Sequence, residues 1–156
     1  MKMMITSTSN PAMVELRLSN APVAIEATGD VIADLNRKGN WIRGLEVLGS
    51  VNQFSLQKAL ASLSPEASAA SVQRPQNKLT VTYDKEADAG FLYLPYPESV
   101  QRASQGDPLL LKCSYSVEDE SAVFGLDGDG ALVFVRFKVP DGEQLDSFME
   151  LFGSQE

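Results

Sequence analysis

Two stretches 76 residues apart carry the same apolar pattern without a gap: MMITSTSNPAMVELRLS, Met3 to Ser19, against LTVTYDKEADAGFLYLP, Leu79 to Pro95. Apolar residues coincide at Met3/Leu79, Ile5/Val81, Leu16/Leu92 and Leu18/Leu94. At an offset of 91, VIADLNRKGNW (Val31 to Trp41) faces AVFGLDGDGAL (Ala122 to Leu132), with Leu35/Leu126 and Gly39/Gly130 coinciding. The larger offset gives the second copy about fifteen extra residues around Pro95 to Pro108. A repeat of this length constrains the fold more than any propensity, because each copy must adopt one structure twice. Two unrelated β-rich halves sharing turn chemistry would produce a similar pattern.

Between the copies lies SPEASAASVQRPQN, residues 64–77, with two prolines and no periodic apolar pattern, which reads as a linker. The expected organisation is therefore a degenerate first repeat at 1–63, the linker, and an acidic second repeat at 78–156. In the second, Leu79, Val81 and Tyr83 alternate with polar residues as a half-buried strand does. Phe91 to Leu94, Leu109 to Val117, Ala122 to Leu126 and Ala131 to Val139 read as further strands. Asp127-Gly128-Asp129-Gly130 forms a hairpin turn between the last two. Val133, Val135, Phe137 and Val139 share one strand face, and Arg136 and Lys138 take the other.

A helix is expected after Asp141, where Leu145, Phe148, Met149 and Phe152 fall at i, i+3, i+4 and i+7. A matching helix in the first repeat would start at Ser50 and use Val51, Phe54, Leu56, Leu60 and Leu63. The fold class expected is α+β: two antiparallel β-meander-plus-helix repeats packed as a pseudo-dimer.

The string YDKEADAGFLYLP resembles the opening signature of a small bacterial family, domain of unknown function 2283. Tyr83, Asp84, Glu86, Ala87, Asp88 and Ala89 match it, Phe91 stands where tyrosine is common, and Gly90 replaces an apolar residue. The family's later block, an apolar strand, an Asp/Gly turn and a closing strand, is similar to both Val31 to Leu48 and Ala122 to Val139. Facing the signature, the first copy has STSNPAM and lacks its three carboxylates. The resemblance implies a β-rich fold in two copies and leaves the function open, because the family's biochemistry is unknown.

The chain has no histidine and a single cysteine, Cys113. Imidazole general-base catalysis, Ser-His and Cys-His pairs, histidine metal ligation, an internal disulfide and a thiolate zinc cage are excluded. A reducing cytoplasm is the expected compartment. The first residues lack the apolar core of an export signal, and no apolar run is long enough to span a membrane. Cys113 reads as a small core residue, and Trp41 and Tyr93 as packing residues. Ser114 and Ser116 have only a lysine such as Lys112 as a base. No glycine-rich phosphate loop is present, since Gly125, Gly128 and Gly130 do not sit between a strand and a helix.

Carboxylates remain. Asp84, Glu86 and Asp88 at i, i+2 and i+4 could ligate Ca2+ or Mg2+, or serve a carboxylate-based hydrolase. The sixth and twelfth positions counted from Asp84 are Ala89 and Pro95, which breaks the EF-hand pattern. The alternative is a turn fixed by Asp84 and Asp88 bonding to nearby amides. Glu118, Asp119 and Glu120 read most simply as a strand-joining turn, unless Leu109 to Leu126 is one long bent strand. With a turn at Asp119, these acids share a sheet edge with the Asp84 loop; with one long strand, Asp127 and Asp129 do. Either way the second repeat has an acidic rim, with Glu118, Asp119, Glu120, Asp127 and Asp129 as the residues suited to a basic protein partner.

Charge is uneven. Residues 1–63 hold six basic and five acidic side chains, 64–77 one of each, and 78–156 six and fifteen, in line with the overall −8. Nucleic acid is disfavoured as a ligand. The functional expectation is a cytoplasmic, non-enzymatic interaction or structural module, antitoxin-like in neutralising a basic protein partner. It would be a monomer with an internal pseudo-dimer, or a homodimer.

Overall fold

A computed structural model describes residues 2–7, 12–36, 42–49, 54–63, 65, 79–94, 106 and 113–139. The strands are β1 (Lys2–Ser7), β2 (Ala12–Arg17), β3 (Ile25–Asn36), β4 (Ile42–Leu48), β5 (Thr80–Asp84), β6 (Ala89–Tyr93), β7 (Cys113–Leu126) and β8 (Leu132–Val139). A helix, α1 (Leu56–Ala61), follows β4. All eight strands join one antiparallel sheet in the order β1-β2-β8-β7-β3-β4-β6-β5.

This overturns the α+β expectation. The described residues are mostly antiparallel β with the short helix α1, and the halves do not build separate meander-plus-helix units. Hairpin β1-β2 pairs with β8 and hairpin β5-β6 pairs with β4, so each half lends its first hairpin to the other. Seven residues between β2 and β3 let the chain cross β8 and β7, tied on the way by Leu18 N–H donating to Val133 O and Ala24 N–H to Leu126 O. Read from either end, the order is unchanged when β1 to β4 are exchanged with β5 to β8. The hairpin registers set Leu16 and Leu92 at equivalent places, but Met3 falls with Val81 rather than Leu79.

The helix also differs from expectation. Its N-cap is Ser55, whose Oγ accepts the Lys58 N–H at 3.3 Å, whereas Ser50 lies outside the described residues. So do the linker apart from Pro65, Trp41, Lys112 and the segment after Asp141. Leu56, Ala59 and Leu60 point into the sheet. Strand alternation supplies the rest of the core: Val14, Leu16, Val31, Ala33, Leu35, Leu45, Val47, Leu92, Phe124, Val135 and Phe137 are buried on the face that α1 covers.

The sheet curls around this helix. Phe54, just before α1, lies 4.9 Å from Phe124 on β7, while a Cβ at Gly90 on β6 would meet Leu60 Cδ1 at 2.5 Å. Strands β3 and β4 separate β7 from β6, a distance of roughly 14 Å in a flat sheet. Gly90 therefore makes room for α1. Leu109 to Val117 and Ala122 to Leu126 belong, from Cys113 on, to the single strand β7. The strand stays continuous through an irregularity near Asp119, where Gly29 opposes Ala122 and Val31 opposes Asp119.

Candidate functional site

The loop after β5 is built from its own carboxylates. Asp84 Oδ1 accepts the N–H groups of Glu86 at 3.0 Å and Ala87 at 3.3 Å, an Asx turn. Asp88 has φ +49°, a left-handed conformation that aspartate tolerates better than most residues. Its Oδ1 accepts the Tyr83 hydroxyl at 2.6 Å, and its carbonyl accepts the Gly49 N–H at 2.7 Å. That hydrogen bond, then desolvation and the charges of Asp88 and Asp84, push the Tyr83 hydroxyl above its usual pKa. A Cβ at Gly49 would collide with the Asp88 carboxylate, so glycine is what lets β4 end against this loop. Glu86 is exposed. Asp84 and Asp88 thus turn to different partners, and among the described residues no group of three or more Cys, Asp or Glu side chains could hold a metal ion.

The second acidic group divides in the same way. Asp127 Oδ1 accepts the N–H groups of Asp129 and Ala131, both at 2.9 Å, and closes the β7-β8 turn, where Gly130 takes φ +83°. Asp129 is exposed. Glu118, Asp119 and Glu120 do not join two strands but lie within β7. Asp119 Oδ1 accepts the N–H of Ser121 at 2.9 Å and its Oγ at 2.7 Å, and Oδ2 accepts the Lys138 N–H at 2.8 Å, which staples the irregular part of β7 to β8. Strand direction puts the Asp84 loop and the Asp127 turn toward the same end of the sheet.

Glu118 and Glu120 are exposed on the sheet face away from α1. Glu118 is pushed above the ordinary carboxylate range by desolvation, by its hydrogen bond with Glu120, and by the charges of Glu120 and Asp30. Asp30, Asp34 and Glu46 of the first half share this far face, since Asp34 opposes Gly44 and Glu46 opposes Ile32. Asp34 is 8% exposed, and its Oδ1 accepts the Ser116 hydroxyl at 2.5 Å. Glu46 is raised by desolvation and then by the charge of Asp34. Beside them Phe91 and Tyr93 stack with centroids 4.2 Å apart. Desolvation raises the Tyr93 hydroxyl, the charges of Glu46 and Asp34 add to this, and Arg43 and a hydrogen bond with Thr82 oppose it.

The acidic surface is therefore a stripe across β7, β3 and β4, drawn from both halves of the chain. Asp34 and Glu46 were invisible as a pair because only the β3-β4 register joins them. The available signal was a single acidic residue inside each apolar strand, Ala33-Asp34-Leu35 and Leu45-Glu46-Val47.

A carboxylate whose folded-state pKa is raised binds its proton more tightly folded than unfolded. Its ionisation costs stability as pH rises from the unfolded value, 4.5, through the folded one. Glu118→Gln is accordingly expected to raise Tm at neutral pH and to leave it unchanged near pH ~3, where both states are protonated. Thermal melts at the two pH values check this, and an equal gain at both would contradict it.

On the other end of the far face, Glu15 is 4% exposed and bonds Arg136 Nη2 at 2.8 Å, with Arg17 Nη2 at 3.5 Å. Both guanidinium carbons lie over the Phe134 ring, at 4.9 Å for Arg136 and 5.5 Å for Arg17. Among the described residues no helix is long and apolar enough to cross a membrane. No family model, no curated protein and no solved structure matches the chain.

Proposed function

We propose that the protein is a non-enzymatic interaction module of the cytoplasm whose far sheet face holds a basic protein partner. The observation that carries the reading is the gathering of like charge on one face: the strand register places Asp30 and Asp34 of β3, Glu46 of β4 and Glu118 and Glu120 of β7 on the same side of the sheet. After desolvation, the largest cause in both cases, Glu120 and Asp30 raise Glu118 further and Asp34 raises Glu46 further. Carboxylates held this close repel one another, and a Lys/Arg-rich segment laid along the stripe removes the repulsion as it binds. The rim carboxylates Asp84, Asp88, Asp119 and Asp127 contribute less, because each already accepts hydrogen bonds from the protein. Membership of the domain of unknown function 2283 family is part of the same proposal and rests on Tyr83, Asp84, Glu86, Ala87, Asp88 and Ala89.

The test is fluorescence anisotropy with a labelled lysine-rich peptide across a salt series. The wild type is expected to bind with an affinity that falls steeply as salt rises. Glu118→Gln with Glu120→Gln is expected to weaken binding about tenfold, and Asp127→Asn with Asp129→Asn much less. Equal losses in the two variants, or no binding at low salt, would overturn the proposal.

A further inference from the structure

The strand order, identical from both ends, makes the two ends of the far face comparable residue by residue. Glu15 opposes Arg136 and Arg17 opposes Phe134 on β2-β8, and Phe91 opposes Glu46 and Tyr93 opposes Gly44 on β6-β4. One strand further in, Phe134 opposes Gly125 and Gly44 opposes Asp34. Glu15 thus corresponds to Phe91, Arg17 to Tyr93, Arg136 to Glu46, Phe134 to Gly44 and Gly125 to Asp34.

The first patch is chemically complete. A guanidinium, that of Arg136, sits between a carboxylate at 2.8 Å and an aromatic ring at 4.9 Å. The second patch has the ring and the carboxylates, but a carboxylate stands where Arg136 would be. Its ring, Phe91, is half-buried and backed by Tyr93 at 4.2 Å, lying over a glycine as Phe134 does. Glu46 is directly opposite Phe91, and Asp34 adds a second, buried carboxylate. Asp34 Oδ1 accepts the Ser116 hydroxyl, and a carboxylate can accept several hydrogen bonds. Arg43, on β4 beside Gly44, lies close enough to Tyr93 for its charge to lower that hydroxyl against the rise from desolvation.

We infer that this patch takes a guanidinium from the partner, an arginine side chain seated against the Phe91 ring and hydrogen-bonded to Glu46, with Asp34 supplying further negative charge. The inference rests on the far-face reading above and specifies its anchor. Arginine fits better than lysine, since a planar guanidinium stacks on a ring while its edge donates two parallel bonds to a carboxylate.

Two peptides of equal length and charge, one of Arg-Gly repeats and one of Lys-Gly repeats, separate the anchor from the general charge effect. In low-salt anisotropy titrations the wild type is expected to bind the arginine peptide about fivefold more tightly. Phe91→Leu is expected to erase that preference and leave lysine-peptide affinity unchanged, with circular dichroism verifying the fold. Should Phe91→Leu not fold, Glu46→Gln keeps the ring and is expected to reduce the preference on its own. Glu118→Gln with Glu120→Gln is expected to weaken both peptides in proportion. Equal wild-type affinities, or a preference that survives both Phe91→Leu and Glu46→Gln, would overturn the anchor and leave the acidic-face reading standing. Failure of both peptides to bind would overturn the two together.

Discussion

Phe124→Ala is expected to lower the unfolding free energy by about 3–5 kcal/mol. Phe124 is 0% exposed on β7, near the middle of the sheet, and its ring packs 4.9 Å from that of Phe54 at the start of α1. Truncation removes the apolar area of the ring and leaves a cavity that the flanking strands cannot close, because each is held by pairs on both sides. It also removes the surface that carries α1, and a helix of six residues has no stability of its own. Against a typical total of roughly 5–15 kcal/mol, such a loss leaves the variant marginal. Urea denaturation with an unchanged m-value checks the effect, and a loss below about 1 kcal/mol would show that α1 is not seated on Phe124.

Arg136→Ala is expected to cost about 2–4 kcal/mol, large for a residue whose side chain is 34% exposed. The reason is its partner. Glu15 lies almost wholly buried, and without Arg136 its carboxylate keeps only the 3.5 Å contact with Arg17. The ring of Phe134 loses the nearer of its two guanidinium contacts as well. The double variant Glu15→Leu with Arg136→Ala is expected to recover most of the loss, because it removes the stranded charge instead of leaving it. A double variant no better than the single one would show that Arg136 acts by packing alone.

Local features were legible in the sequence wherever neighbouring residues determine them. The Asp127–Gly130 turn forms as its glycine and aspartate content demands, and Val133, Val135, Phe137 and Val139 are buried as their alternation requires. Phe134 breaks that reading. It is 2% exposed on the far face, which is not uniformly wet because Arg17 and Arg136 cover the ring. The three successive acids at Glu118 looked like a turn because turns tolerate charge, yet Asp119 is consumed in stapling β7 to β8. Strand partners were beyond reach, since an antiparallel strand with one apolar face can pair equally well with several others. That single gap hid the exchange of hairpins, the acidic stripe from both halves, and the pairing of Phe91 with Glu46. The uneven charge count pointed to the second half alone, although Asp30, Asp34 and Glu46 come from the first.

The exchange of hairpins is the claim on which the stripe and the arginine anchor both depend, and backbone NOEs measure it directly. Cross-strand contacts are expected between residues 12–17 and 134–139, and between 44–48 and 89–93, with Glu15 opposite Arg136 and Glu46 opposite Phe91. Cross-strand contacts that instead join 12–17 to strands of residues 1–63 other than β1, with none to β8, would contradict the account.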